Sequence, residues 1–165
     1  AFLPRRAEEA HILFQDGGGG DLPRVRRIEV LDGAGRPKSA VATWDEALFR
    51  VSFETKEALA SGSVVLDIWD LRQHRLVVLD SGSLVPFGAG LQSVECRIPR
   101  LPLPAGEYIV GAGLAQSSTR WLWREKELGR WMVQGRDVCG LGRPPESSRM
   151  AVVVEHGWSS TAAAP

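Results

Sequence analysis

Residues 101–115 read LPLPAGEYIVGAGLA, and more than any other stretch they set the expected architecture. Within it, Leu103-Pro104-Ala105-Gly106-Glu107-Tyr108 puts a proline and a glycine just ahead of the single tyrosine of the chain. A turn of that kind fixes the ring inward and lets its hydroxyl bond backbone a few residues upstream, the arrangement known as a tyrosine corner. After the turn, Tyr108, Val110, Ala112 and Leu114 alternate with Ile109, Gly111, Gly113 and Ala115. That period of two predicts a β-strand with one face in a core.

The same period recurs on both sides. EALFRVSFE (46–54) sets Phe49, Val51 and Phe53 against Leu48, Arg50 and Ser52, and SVVLDIWDL (63–71) sets Val64, Leu66 and Ile68 against Val65, Asp67 and Trp69. Both read as half-buried antiparallel strands. RVRRIEVL (24–31) carries Val25, Ile28 and Val30 with one slip in phase, ahead of the turn residues DGAGRP. RLVVLDSGS (75–83) reads as a short strand and turn, and SVECRIP (93–99) faces Val94, Cys96 and Ile98 inward. RWLWREKELGRWMVQG (120–135) starts as a strand or loop edge and ends with Trp131 and Val133 on an apolar face; Glu125 to Arg130 has room for a helical turn or two at most. MAVVVEHGW (150–158), after the turn-rich CGLGRPPESS, predicts one detached final strand, and 159–165 a disordered tail. Roughly seven to nine short strands between Gly, Pro and Ser turns make an all-β antiparallel sandwich.

The chain has 165 residues, the length of one domain, and 20 Lys+Arg balance 20 Asp+Glu. A balanced charge argues against a polyanion such as nucleic acid as partner. Cys96 and Cys139 are the only cysteines and lack a Cys-x-x-Cys spacing, so both are read as free thiols. No apolar run approaches the roughly 18 to 20 residues that span a bilayer, which predicts a soluble chain. The start, Ala1-Phe2-Leu3-Pro4 without methionine, is compatible with a piece cut from a longer polypeptide. FQDGGGGDL (14–22) has no following helix and no Gly-Lys-Ser/Thr, so it is read as a flexible entry rather than a phosphate cradle, with AHILF before it a docking strand or residual linker. Residues 1–17 are accordingly assigned to a linker or extension and 18–158 to the sandwich.

His11, His74 and His156 lie on separate segments without metal-ligand spacing, so no metal site is expected. No Gly-x-Ser-x-Gly elbow is present, and the carboxylate pairs Asp45/Glu46 and Asp67/Asp70 read as solvated strand edges rather than a glycosidase pair. The aromatic content is more informative, with six tryptophans against one tyrosine. Trp131 falls in phase with the core, whereas Trp69 shares its face with Val65 and Asp67. An exposed indole offers a plane for the C–H face of a sugar, and Asp67 and Arg72 supply acceptors and donors for its hydroxyls. Gly111 and Gly113 on the outward face of their strand make a trough; strand glycines equally mark bulges or close sheet contacts. Trp121 and Trp123, read on one face between Arg120 and Arg124, make either a second aromatic platform or an edge packed on the core.

RIEVLDGAGRP, IWDLRQHRLVV, LPLPAGEYIVGAGLA and RWMVQG, in that order, resemble the C-terminal polysaccharide-binding domain of Wzt-type ATPase subunits of O-antigen ABC transporters; Gly18, Gly20 and Asp21 are similar to its entry segment. The resemblance implies an immunoglobulin-like sandwich without catalytic function or cofactor. It also implies recognition of an O-antigen polysaccharide in the cytoplasm, at the inner face of the inner membrane. The partners implied are an ABC ATPase, linked or separate, with its membrane subunits, and a second copy in a homodimer that exchanges C-terminal strands, for which MAVVVEHGW is suited. The family transfers no sugar-contacting residue, so Trp69, Asp67, Arg72, Gly111, Gly113, Trp121 and Trp123 rest on the strand-face reading. A structural or adhesive immunoglobulin-like module without a sugar site is the competing reading.

Overall fold

Tyr108 is fully buried and donates its hydroxyl to the Pro104 carbonyl at 2.7 Å, closing the expected corner. Burial pushes its phenol up to about 12, with the Asp70 charge adding to the shift. The strand it opens lies at the centre of a β-sandwich in the computed structural model, which describes residues 10–82, 87–117 and 120–160. In these residues nine strands occur and no α-helix: β1 (Ile12–Gln15), β2 (Arg24–Leu31), β3 (Val41–Ala42), β4 (Ala47–Thr55), β5 (Gly62–Trp69), β6 (Arg75–Asp80), β7 (Gly90–Ile98), β8 (Gly106–Gln116) and β9 (Arg120–Gln134). A four-stranded sheet runs β1-β2-β4-β7 and a five-stranded sheet β3-β9-β8-β5-β6. All neighbours pair antiparallel except β3 with β9.

The core forms where the alternating apolar faces meet. Phe49, Val51 and Phe53 of β4 with Val25, Ile28 and Val30 of β2 pack toward Val64, Leu66 and Ile68 of β5 and Val110, Ala112 and Leu114 of β8. Trp131 meets Phe49 edge-on at 5.3 Å between centroids, a favourable aromatic geometry. Val94, Cys96 and Ile98 of β7 also pack against this cluster, and both cysteines are free.

The phase slip in RVRRIEVL is a bulge: the β2–β4 register shifts between Val25 and Arg27, leaving Arg26 as the extra residue. Its guanidinium binds the Asp16 carboxylate, Glu54 Oε2 at 2.8 Å and the Gly19 carbonyl at 2.7 Å. The glycine run is therefore tied to the sheet as a turn, with Gly18, Gly19 and Gly20 at φ of 91°, 77° and 81°, where a side chain would be strained. Upstream of it, β1 pairs with β2, so the sandwich takes in residues before the Gly18 boundary read from the sequence.

The run 150–158 does not form the expected strand. It is an extended segment held at Val153, whose N–H donates to the Pro102 carbonyl at 2.7 Å and whose carbonyl accepts from Trp44 Nε1 at 3.2 Å. Arg100 fastens it further, pairing with Glu155 at 2.9 Å and lying 4.9 Å over the Trp44 ring. The β9 edge at Val133 and Gln134 is taken by β3. The expected extension at 1–9 and tail at 161–165 lie outside the described residues.

Candidate functional site

Asp67 sits on the outward phase of β5, opposite Gly111, yet it is only 1% exposed. A carboxylate buried to that degree needs charge and hydrogen-bond partners. Its Oδ2 accepts from Arg124 Nη2 at 3.2 Å, while Arg75 Nη1 stands 3.9 Å from Oδ1, which has no hydrogen bond. The Arg124 guanidinium also lies 4.2 Å over the Trp121 indole, so one cation serves both a carboxylate and a ring. Next along β5, half-buried Trp69 is flanked by Arg75 at 5.6 Å and Lys126 at 5.9 Å from its centroid. Among the described residues six buried side-chain polar atoms lack a hydrogen-bond partner, and four of them, Ser63 Oγ, Asp67 Oδ1, Trp69 Nε1 and Arg124 Nε, belong to this face of the five-stranded sheet. Such groups are uncommon in native proteins and concentrate attention here.

Two irregularities in β9 create the arrangement. Ala115 pairs with Trp121 but Leu114 with Trp123, so Leu122 is an extra residue and the side-chain phase inverts across it. Trp121 consequently lies outside, 44% exposed, whereas Trp123 packs against the core; the two do not share a face. Arg124 thereby joins the Trp121 face. Farther on, Val110 pairs with Gly129 and Ala112 with Glu125, leaving Lys126, Glu127 and Leu128 opposite Gly111 alone. This bulge folds over Gly111, and Glu127 reaches Gln73 Nε2 at 2.9 Å.

The glycine trough is thus filled by the chain itself. A Cβ on Gly111 would stand 2.7 Å from the Lys126 carbonyl oxygen, and one on Gly113 would stand 2.3 Å from Trp121 Cζ3. These glycines permit close approach of β9 and of the indole, the alternative that strand glycines always carry. The open part of the face lies beside them, a hollow of about 140 Å3 walled by Arg75, Asp80, Arg120 and Trp121 over Val65 and Ala115.

Of the residues singled out from sequence, Asp67, Trp69, Gly111, Gly113 and Trp121 come together on this face, and Trp123 is turned away. Arg72 lies in the turn after Trp69, its N–H donating to Asp70 Oδ1 at 2.9 Å, and the guanidiniums that meet Asp67 are those of Arg124 and Arg75. Strand phase alone misses Arg124, because three residues after Trp121 a regular strand would place it on the opposite face. The carboxylate pairs are otherwise engaged: Asp45 bonds Lys38 at 3.3 Å and Arg136 at 2.6 Å. Burial pushes the Asp45 carboxyl up, and the Ala42 N–H and Arg136 outweigh it and hold it below 3.8. His74 bonds Asp70, His11 stands 3.7 Å from Glu29, and His156 bonds the Val154 carbonyl, so the histidines serve three separate places. Among the described residues no group of three or more His, Cys, Asp or Glu side chains is placed to hold a metal ion, and no helix is long and apolar enough to cross a membrane.

No family model and no curated protein matches the sequence. Solved structures do match in fold. The chain is similar to the C-terminal domain of Wzt, with a TM-score of 0.72 and 10% identity over 93% of this chain and 94% of that one. It is also similar to a Niemann-Pick type C2 protein from Japanese carpenter ant, with a TM-score of 0.51 and 10% identity over 74% of this chain and 99% of that one. At such identity the likeness is one of fold: an antiparallel two-sheet sandwich shared with the Wzt C-terminal domain across nearly its whole length.

Proposed function

We propose that this chain is a non-catalytic carbohydrate-binding domain that takes a bacterial O-antigen polysaccharide in the cytoplasm and couples it to export by an ABC transporter. The observation that carries the reading is the hollow on the five-stranded sheet, where the exposed edge of Trp121 stands beside Arg75, Arg120 and Asp80. An indole next to fork-shaped donors and a carboxylate is what a pyranose needs, apolar contact for its C–H face and partners for its hydroxyls. The fold likeness to the Wzt C-terminal domain supports the transporter setting, with ATPase and membrane subunits as partners. The binding residues of this reading are Trp121, Arg120, Arg75 and Asp80, with Asp67, Arg124 and Trp69 holding the face in shape. In a homodimer, the segment after Glu146 is the part exchanged. Deleting 146–165 and measuring the mass in solution tests this, and an unchanged dimer removes it.

The filled glycine trough favours a second reading, an immunoglobulin-like structural module whose outer face needs no ligand. Titration with purified O-polysaccharide, followed by tryptophan fluorescence, separates the two. Saturable binding is expected, tolerant of salt because a neutral sugar makes stacking contacts and hydrogen bonds and no ion pairs. Trp121→Ala is expected to weaken it about tenfold, about 1.4 kcal/mol for one lost ring contact. Absence of binding at millimolar repeat units would leave the structural module standing.

A further inference from the structure

Among the described residues, the two layers of the sandwich leave a gap at the edge formed by β6 and β7. A cavity of about 340 Å3 enters there between the sheets. Its walls are aliphatic: Val51, Val64 and Leu66 from the core, Leu79 of β6 and Val94 of β7, with the Cys96 side chain among them. Sheets pack roughly 10 Å apart and need interdigitating side chains to fill that space. Here the facing residues are mostly short. The bulky rings that fill the layer elsewhere, Phe49, Phe53, Tyr108 and Trp131, are not among those that line it.

We infer that this cavity is a binding site for a single aliphatic chain bearing an uncharged, hydroxylated head. An apolar hole of ~150 Å3 stays dry and accepts one benzene, so this one has room for about ten to twelve carbons. It also falls within the range of about 300–1,000 Å3 typical of ligand pockets. The mouth defines the head. Glu95 is already paired with Arg50 at 2.9 Å, and Ser81 Oγ already accepts from the Val64 N–H at 2.8 Å. Asp80 accepts from the Gly82 N–H through Oδ1 and has no cation within ion-pair distance among the described residues. Its free oxygen suits a hydroxyl donor and repels a carboxylate or phosphate.

Position supports the same occupant. Asp80 and Val78 line both this cavity and the hollow beside Trp121, so the single edge strand β6 divides an apolar space from a polar one. The site stands on its own lining and does not depend on the saccharide reading, which fails or survives by the polysaccharide titration.

Labelling of the full chain by a water-soluble maleimide tests the proposal, with Cys96 in the cavity wall and Cys139 as internal control. Soluble 1-decanol is expected to slow Cys96 labelling by about fivefold or more while leaving Cys139 unchanged, and to raise the melting temperature by mass action. Decanoate is expected to do neither. Val94→Phe, which fills the cavity with an apolar ring, is expected to unfold cooperatively and to lose the decanol-dependent rise. Equal slowing of both cysteines, no effect of decanol on either readout, or a Val94→Phe protein that keeps the full rise would overturn the site. Equal protection by decanoate would overturn the head-group assignment.

Discussion

The outer faces of the two sheets answer the same problem differently. On the four-stranded sheet, charges are neutralised in pairs at or near the surface: Arg27 with Glu29 at 2.8 Å, Arg50 with Glu95 at 2.9 Å, Arg97 with Glu46 at 3.2 Å. On the five-stranded sheet, a carboxylate is buried, its cation is shared with an indole, and polar atoms are left without partners. Two buried polar atoms of the first face, Arg24 Nε and Arg27 Nε, also lack a hydrogen bond, but both guanidiniums stand in ion pairs. The second face carries hydrogen-bonding capacity that its own residues leave unused, and that contrast, more than any motif, places the candidate site.

The largest effect expected from this contrast comes from removing the cation. Arg124→Ala would leave Asp67 buried, with Arg75 as its remaining cation at 3.9 Å, and should cost about 3 kcal/mol or more in urea unfolding. Asp67→Leu combined with Arg124→Met removes both charges and should recover most of that loss, because a buried pair adds little over an apolar replacement. A double variant as unstable as Arg124→Ala would mean that the face depends on the charges themselves. Next in size are the two glycines. Gly111→Ala meets a backbone carbonyl that cannot swing away and should cost about 1–3 kcal/mol. Gly113→Ala meets a ring that can, so it should cost less stability while lifting Trp121 from the sheet, seen as a shift in tryptophan emission.

These two substitutions also mark how far the sequence could be read. The corner at Tyr108 and the alternation along β4, β5, β7 and β8 were legible because a period of two and a proline-glycine turn are local signals. The slip in RVRRIEVL was visible as a break in phase, and the pairing of β2 with β4 shows it to be a bulge. In β9 the extra Leu122 and the excursion Lys126–Leu128 were hidden, since an inserted residue looks like any other until its partner strand is known. The same ambiguity separated Trp121 from Trp123, brought in Arg124 and filled the trough at Gly111 and Gly113. The final run 150–158 has strand composition, but whether it pairs depends on a free edge, which is a property of the assembled sheet.

A smaller effect should appear in acid on the four-stranded side. The Arg26 hydrogen bond, with the nearby Arg24 charge, holds the Asp16 carboxyl below 3.8 despite burial. A carboxyl lowered in the folded state binds fewer protons there than in the unfolded chain. Its contribution is complete above the ordinary carboxylate value and is lost as pH falls through the folded one, from about pH 4 downward. Asp16→Asn should flatten that acid limb of the stability profile and leave it unchanged near neutrality in shape. An unaltered acid limb would show that Asp16 does not tie the glycine turn to β2.

Arg50→Ala should be the mildest change, and it is the sharpest control for the rest. The Arg50 and Glu95 side chains are 34% and 45% exposed, so water and salt screen their attraction and holding two long side chains together offsets much of it. Such pairs are worth about 0–1 kcal/mol, so urea midpoints of parent and variant should nearly coincide and converge further in added salt. Saccharide titration should not distinguish the two proteins either, because the Arg50–Glu95 pair joins β4 to β7 on the other sheet from the Trp121 hollow. A loss comparable with that of Arg124→Ala would mean that exposed and buried pairs contribute alike here, and the physical distinction between the two faces would disappear.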